Sequence, residues 1–504
     1  MPPVPSGCSG PTCCGSSATS ASRRRRRPSA GGAPLRRELT FREPPGNLWL
    51  AAAPGRGASA RPVETRARSP LPTVASGATS RDARSRPSRG WAPPAEARDR
   101  RGKDELVPKS SGPLAGVRVL DLTRVLAGPF CAMMLGDMGA EVIKIEEPGK
   151  GDDTRSWPPF VGGESTYFMS VNRNKKSMTL NLKAPEGGEI LRTLVRKSDV
   201  LLENFRTGTM DKLGFGYRAL SRLNPRLVYC AISGFGESGP EAHRAGYDLI
   251  VQAESGVMDL TGFTDGPPVK VGNSIADLAA GMSAAHGVTL ALLARTRTRR
   301  GQKVEISMLD VMASLLTYQA RSYFGTGQRP TRRGNAHPSI VPYEVFRAAD
   351  AFLVLGVANN SLWAKCCAVL ERPDLTRDSR FDAEAKRVQN RDVLVPLLNE
   401  ILGTRAAAEW IKRFEAAGIP AGLIKSVAEV CESEHLKARG MTVTLPHPKA
   451  ERVTVMGVPV RLHTTPGRVA TAPPLLGQHT ETVLRTLVGL KKPVIARLRT
   501  QGAI

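Results

Sequence analysis

Gly116-Val117-Arg118-Val119-Leu120-Asp121-Leu122, then Pro129 to Met138, then Glu141-Val142-Ile143-Lys144-Ile145-Glu146, is the stretch on which the fold turns. Its first and last segments are short Val-, Ile- and Leu-rich runs, as strands buried on both faces of a parallel sheet require. Between them lies a segment of helical length with Gly139 as the turn, so the three read as strand, short helix and next strand. The loop Thr123-Arg124-Val125-Leu126-Ala127-Gly128-Pro129 then falls at a strand's carboxyl end, where open parallel sheets bind ligands. It lacks the G-x-G-x-x-G spacing of a dinucleotide site.

Outward from this unit the alternation continues. Strands are expected at Met178-Thr179-Leu180, Val200-Leu201-Leu202, Leu227 to Ser233 and Lys303 to Ser307, with helices over Glu186 to Lys197, from near Ser274, and over Leu309 to Tyr318. Such alternation predicts an α/β fold with a parallel sheet. Residues 113–330 form the first body, and the polar, Gly- and Pro-punctuated stretch from Arg321 to Pro342 reads as a linker, centred on 331–345. A second unit over 346–438 has a strand at Ala351 to Gly356 and helices near Ser361–Leu370, Arg387–Leu402 and Ala406–Ala417. Gly440 to Leu462 reads as β-rich, and Thr480 to Leu487 as helical.

Residues 1–112 differ in kind. They hold 21 Lys and Arg against 8 Asp and Glu, include the run Arg23 to Arg27, and show no sustained apolar period. They are expected to be disordered. No acidic residue precedes Glu38, a composition that fits an organelle transit peptide as well as an unstructured tail. The chain's net charge of +26 would suit a polyanionic ligand, yet aromatics are only 5% and no basic run is interleaved with them, so a nucleic-acid surface is not expected. The longest apolar run falls far short of the ~20 residues of a membrane span, and no membrane partner is expected. The eight cysteines form neither paired C-x-x-C units nor a disulfide framework, and no metal site is expected.

One carboxylate stands out. In Val271-Gly272-Asn273-Ser274-Ile275-Ala276-Asp277-Leu278-Ala279-Ala280-Gly281-Met282, Asp277 falls in the first turn of a helix whose apolar positions Ile275, Leu278, Met282, Ala285 and Leu292 recur at three- and four-residue intervals. The positive end of the helix favours an ionised carboxylate there, and the small neighbours leave room for a substrate. The plainer alternative is a helix cap.

Several phrases taken together, in order, resemble the class III CoA-transferase family, the CaiB/BaiF type. They are Val119 to Pro129, Val142 to Glu146, Asn172-Arg173-Asn174-Lys175-Lys176-Ser177, Glu203-Asn204-Phe205-Arg206, Gly246-Tyr247-Asp248, the Asp277 stretch, Gly301 to Val304, and Gly334-Asn335 with Pro342-Tyr343. The match runs from Pro113 to the C-terminus and looks most like the animal mitochondrial branch that handles short dicarboxylates. The resemblance implies a doubly wound parallel-sheet large domain with an inserted smaller α/β domain, residues 439–504 returning to the large domain, and an interlocked homodimer in the mitochondrial matrix.

Carried over position by position, the resemblance makes Asp277 the nucleophile. It assigns CoA contacts to Val125, Ala127, Leu180, Asn204, Phe205, Lys212, Arg244 and Tyr247. The chain departs from a member of the family that it resembles at Glu147, where that member has a basic residue, and at Ala336-His337-Pro338, near where it has a glycine-rich loop. The implied activity moves CoA from a donor such as succinyl-CoA to an acceptor such as glutarate or hydroxymethylglutarate, through an aspartyl anhydride and an aspartyl-CoA thioester. No cofactor beyond coenzyme A as co-substrate is implied. An aspartate, whose ordinary pKa is about 3.9, would be ionised at neutral pH without a base.

Two alternatives stand beside this. A 2-methylacyl-CoA racemase on the same scaffold would pair a histidine with an aspartate across an α-carbon, but Tyr247 occupies the histidine's place, and phenols titrate at about 10. A non-enzymatic protein that uses its basic leader on acidic partners would lose its activity on removal of residues 1–112.

Overall fold

The computed structural model describes residues 112–504, and the basic leader lies outside them. Six parallel strands form the central sheet: β1 (Arg118–Asp121), β2 (Glu141–Glu146), β3 (Lys175–Thr179), β4 (Val200–Glu203), β5 (Val228–Ser233) and β6 (Lys303–Ser307). Their order is β3-β2-β1-β4-β5-β6. The chain therefore winds one way from β1 and then returns to wind the other way, which opens a crevice between β1 and β4 at their carboxyl ends.

Alternation along each strand supplies both faces. Leu120, Ile143 and Leu201 belong to one apolar layer, with Leu191 and Leu194 of helix α2 (Pro185–Arg196). Val119, Val142 and Leu202 belong to the opposite layer, with α1 (Ala127–Asp137) and α4 (Ile275–Thr298). Both faces are covered, which explains the near-continuous apolar strands. Ile495 and Leu498 of the last helix, α8 (Lys492–Thr500), and the terminal Ile504 pack into the first layer.

A separate apolar cluster gathers residues between Val341 and Ile419, with Trp363, Leu394 and Trp410 fully enclosed. It covers a three-stranded antiparallel sheet of β7 (Tyr343–Arg347), β8 (Phe352–Gly356) and β9 (Ala421–Leu423), with β8 central, and helices α5 (Asn360–Val369), α6 (Arg391–Leu402) and α7 (Ala407–Ala416). The strand β7 begins inside the stretch read as a linker. The expected β-rich stretch is a hairpin, β10 (Thr442–His447) and β11 (Glu451–Met456).

Two expectations need correcting. The helix over Leu309 to Tyr318 is broken: it ends at Ser314, and a second helix, Thr317–Thr326, begins at a residue with φ +36° and runs into the stretch read as linker. The helix α4, 24 residues long, is long and apolar enough to cross a bilayer by length and composition. In the fold, its Ala276, Ala280, Ala284 and Val288 are fully buried in the core, so its apolar character is that of a central packing helix.

Candidate active site

The two loops that leave β1 and β4 meet over the crevice and are tied together. The Asn204 amide accepts from the Arg124 backbone N–H through Oδ1 and donates to the Arg124 carbonyl through Nδ2, both at 2.8 Å. Between them, Val125 sits at φ +68°, a backbone conformation that β-branched residues rarely adopt. The Arg124 guanidinium lies 5.0 Å from the centre of the Phe205 ring, and the Phe205 N–H donates to Glu203 Oε2 at 2.9 Å. Burial pushes the Glu203 carboxyl up to about 7.

A third loop is brought in by two glycines. A Cβ on Gly234, just after β5, would lie 2.6 Å from the Gly246 Cα, and one on Gly246 would lie 2.5 Å from the Gly234 Cα. Only a pair without side chains lets these backbones touch. The contact carries Arg244 and Tyr247 over the end of β5, just ahead of α3 (Asp248–Glu254).

Asp277 enters from the first turn of α4. The plainer reading of it as a cap does not hold, because no side chain of α4's own sequence caps this end. The cap comes instead from Asp248, whose Oδ1 accepts from the Ala276 N–H at 2.9 Å while Oδ2 accepts from Gln252 Nε2 at 2.8 Å. Asp277, half-buried, is left without a hydrogen-bond partner among the described residues. Burial and then the nearby Asp248 carboxylate push its carboxyl up to about 7. This corrects the expectation of a carboxylate fully ionised at neutral pH: loss of hydration and a like charge outweigh the helix dipole. The small neighbours also differ from expectation. Ala276 and Ala280 are buried in the core, and a Cβ on Gly281 would lie 2.6 Å from the Ala127 carbonyl oxygen. Their size serves the close packing of α4 on α1, which holds Asp277 beside the β1 loop.

The structure brings all nine sequence-predicted residues together in two adjoining cavities. Asp277 shares one of about 270 Å³ with Val125, Ala127, Asn204, Phe205, Arg244 and Tyr247. Leu180 and Lys212 line a second, of about 260 Å³, in which Glu147 also stands. Arg124 and Phe205 line both. Three guanidinium groups, Arg124, Arg206 and Arg244, ring the Asp277 cavity. Arg244 is already engaged, bonding Glu254 and Glu241 and lying 4.3 Å from the centre of the Phe235 ring. Asn204 likewise spends its amide on Arg124. Asp248 was missed as a site residue, although the phrase Gly246-Tyr247-Asp248 had marked the segment. No histidine lines either cavity.

A carboxylate without a hydrogen-bond partner among the described residues thus stands at the switch point of a doubly wound sheet, in a cavity walled by apolar side chains and three arginines. The family model "CoA-transferase family III" matches residues 114–480. Succinyl-CoA:glutarate CoA-transferase of Mus musculus is 44% identical over 78% of this chain and 91% of its own length. Acetyl-CoA:oxalate CoA-transferase of Acetobacter aceti is also 44% identical, over 70% of this chain and 90% of its own. The crystal structure of a CAIB/BAIF family protein from Brucella suis superposes with a TM-score of 0.67 at 37% identity, over 75% of this chain and 99% of that one. The chain belongs to CoA-transferase family III and is a CoA-transferase.

Proposed function

We propose that the protein moves coenzyme A from succinyl-CoA to a short dicarboxylic acid, glutarate or hydroxymethylglutarate, with Asp277 as the covalent acyl acceptor. One observation carries this reading: Asp277 is a carboxylate without a hydrogen-bond partner among the described residues, in the cavity at the sheet's switch point. The mouse relative's name gives succinyl-CoA and glutarate as its substrates, which supports the same pair here.

The ionised Asp277 attacks the thioester carbonyl of the donor, the C–S bond breaks, and CoA leaves as a thiolate. The product is a mixed anhydride between Asp277 and the donor acid. The thiolate returns to the aspartyl carbonyl, a C–O bond breaks, and the donor acid leaves as its carboxylate. The resulting Asp277–CoA thioester is then attacked by the acceptor carboxylate, and the two steps run in reverse. One thioester replaces another throughout, so the reaction consumes neither ATP nor water. Poor hydration of Asp277 serves this chemistry, because a carboxylate with a raised pKa is a stronger nucleophile once ionised.

In this reading the thioester lies in the Asp277 cavity against Val125, Ala127 and Tyr247. The nucleotide end reaches past Phe205 into the cavity of Leu180, where the Lys212 ammonium meets phosphate. The absence of a histidine from either lining removes one half of the proton-carrier pair that racemisation needs. The unit over 346–438 is an inserted smaller domain. The working form is a homodimer: Leu290 and Leu293 of α4 are half or more exposed, as apolar residues covered by a second copy would be. The acid-poor basic leader directs the chain to the mitochondrial matrix.

The test is an acceptor screen with the full chain, succinyl-CoA as donor, and glutarate, hydroxymethylglutarate and oxalate as acceptors, reading the new CoA ester by mass. Glutaryl-CoA or hydroxymethylglutaryl-CoA is expected. Oxalyl-CoA alone would sink the assignment of glutarate or hydroxymethylglutarate, and no CoA ester of any acceptor would sink succinyl-CoA as the donor.

A further inference from the structure

Beneath the β1 loop lies a set of buried charges that the transfer chemistry does not use. Lys144, on β2, is wholly enclosed, and so is Asp121 on β1; Asp152 and Lys175 are nearly so. The Lys144 ammonium stands 2.9 Å from Asp152 Oδ2 and donates to the Thr123 carbonyl at 2.9 Å. Asp152 Oδ1 accepts from the Val125 N–H at 3.3 Å and from both the N–H and hydroxyl of Thr154. Asp121 Oδ1 accepts from the Thr123 N–H at 3.0 Å, and its Oδ2 from Lys175 Nζ at 2.9 Å. Lys175 donates further to the carbonyl of Pro129, within α1, and to Asn172.

The Thr123 N–H, the Thr123 carbonyl and the Val125 N–H are thus all held by buried charged side chains. They lead into the one residue of the loop whose left-handed conformation, φ +68°, its own side chain disfavours. Buried ion pairs are a poor way to gain stability, since apolar side chains of similar volume often do as well or better. Their placement under the loop calls for another explanation.

We infer that Lys144 is a positioning residue that sets the geometry of acyl-CoA binding, by holding the Thr123 carbonyl directly and the Val125 N–H through Asp152. This rests on the reading that CoA binds at the Val125 loop. Lys144 lines the second cavity, while its ammonium donates to the backbone of the β1 loop.

The test measures CoA binding by titration calorimetry, and thermal unfolding in parallel, on full-chain wild type, Lys144→Met and the double variant Lys144→Met/Asp152→Asn. The single variant leaves Asp152 as a buried anion without its cation, so it should unfold at a lower temperature. The double variant removes that unpaired charge while Asn keeps the Oδ1 acceptor and the capping geometry, so its unfolding temperature should recover. Both should bind CoA about tenfold more weakly, as loss of a charged hydrogen bond to the loop implies, and show a raised KM for succinyl-CoA with an unchanged KM for the acceptor acid. A double variant with recovered stability and wild-type CoA affinity would overturn the inference, and so would wild-type affinity in Lys144→Met. If the wild type itself bound no CoA, the placement of the CoA site would fall instead, and the inference with it.

Discussion

The two carboxylates Asp277 and Asp248 offer the sharpest test of the site's electrostatics. With the Asp277 carboxyl pushed to about 7 by burial and by Asp248, about one-tenth of the free enzyme is ionised at pH 6 and about nine-tenths at pH 8. Because kcat/KM reports the free enzyme's titration, it should rise about tenfold between those values. Replacing Asp248 by Asn removes the like charge and keeps an oxygen for the Ala276 N–H, at the cost of the hydrogen bond from Gln252. Burial is the larger of the two causes, so the like charge accounts for the smaller part of the rise, on the order of one pH unit. The acid limb should then move to about 6, and the rise from pH 6 to pH 8 should shrink to about twofold. The assay is initial-rate kinetics with succinyl-CoA, with buffers overlapped across the range. A flat wild-type profile would mean an ordinary carboxylate and refute the raised pKa. A tenfold rise that survives in Asp248→Asn would remove Asp248 as a cause.

Other outcomes follow from the same geometry. A carboxyl whose pKa is higher folded than unfolded binds extra protons in the folded state between about pH 4 and 7, so its contribution to stability declines as pH rises through that window. Asp277→Asn should therefore be more stable than wild type at pH 8, by on the order of a few kcal/mol at most, with the gain gone at pH 4; calorimetry at the two pH values checks it. Gly281→Ala places a methyl 2.6 Å from the Ala127 carbonyl oxygen and should cost about 1–3 kcal/mol in denaturant unfolding by forcing α4 off α1. Lys212→Ala should raise KM for succinyl-CoA several-fold and leave the acceptor's KM unchanged, as steady-state kinetics with each substrate varied would show.

The large sheet was legible because its strands are covered on both faces, and continuous Val, Ile and Leu runs separated by helical lengths have few other solutions. The start of α4 was legible, but its buried face was not: Ile275 and Leu278 are only part-buried and Met282 is exposed, while Ala276, Ala280, Ala284 and Val288 face the core. What the sequence did not carry was contact through space. Asp248 lies 28 residues from the N–H it caps, and Glu254 lies ten residues from the Arg244 it binds, so neither is visible as a local pattern. The raised Asp277 pKa depends on burial, which a helix-start argument leaves out. The final helix did have a signal: Pro493 at its first turn, followed by Val494, Ile495 and Leu498 at helical spacing. The break at Thr317 had none, since Leu315 and Leu316 continue an apolar helical pattern.

Covalent use of Asp277 is most directly measured by trapping. The full chain is incubated with succinyl-CoA and hydroxylamine, digested, and the peptide holding residue 277 analysed by mass. Conversion of Asp277 to its hydroxamate, dependent on succinyl-CoA and accompanied by loss of transfer activity, is the expected result. An unmodified Asp277 in enzyme that still turns over under the same conditions would contradict it.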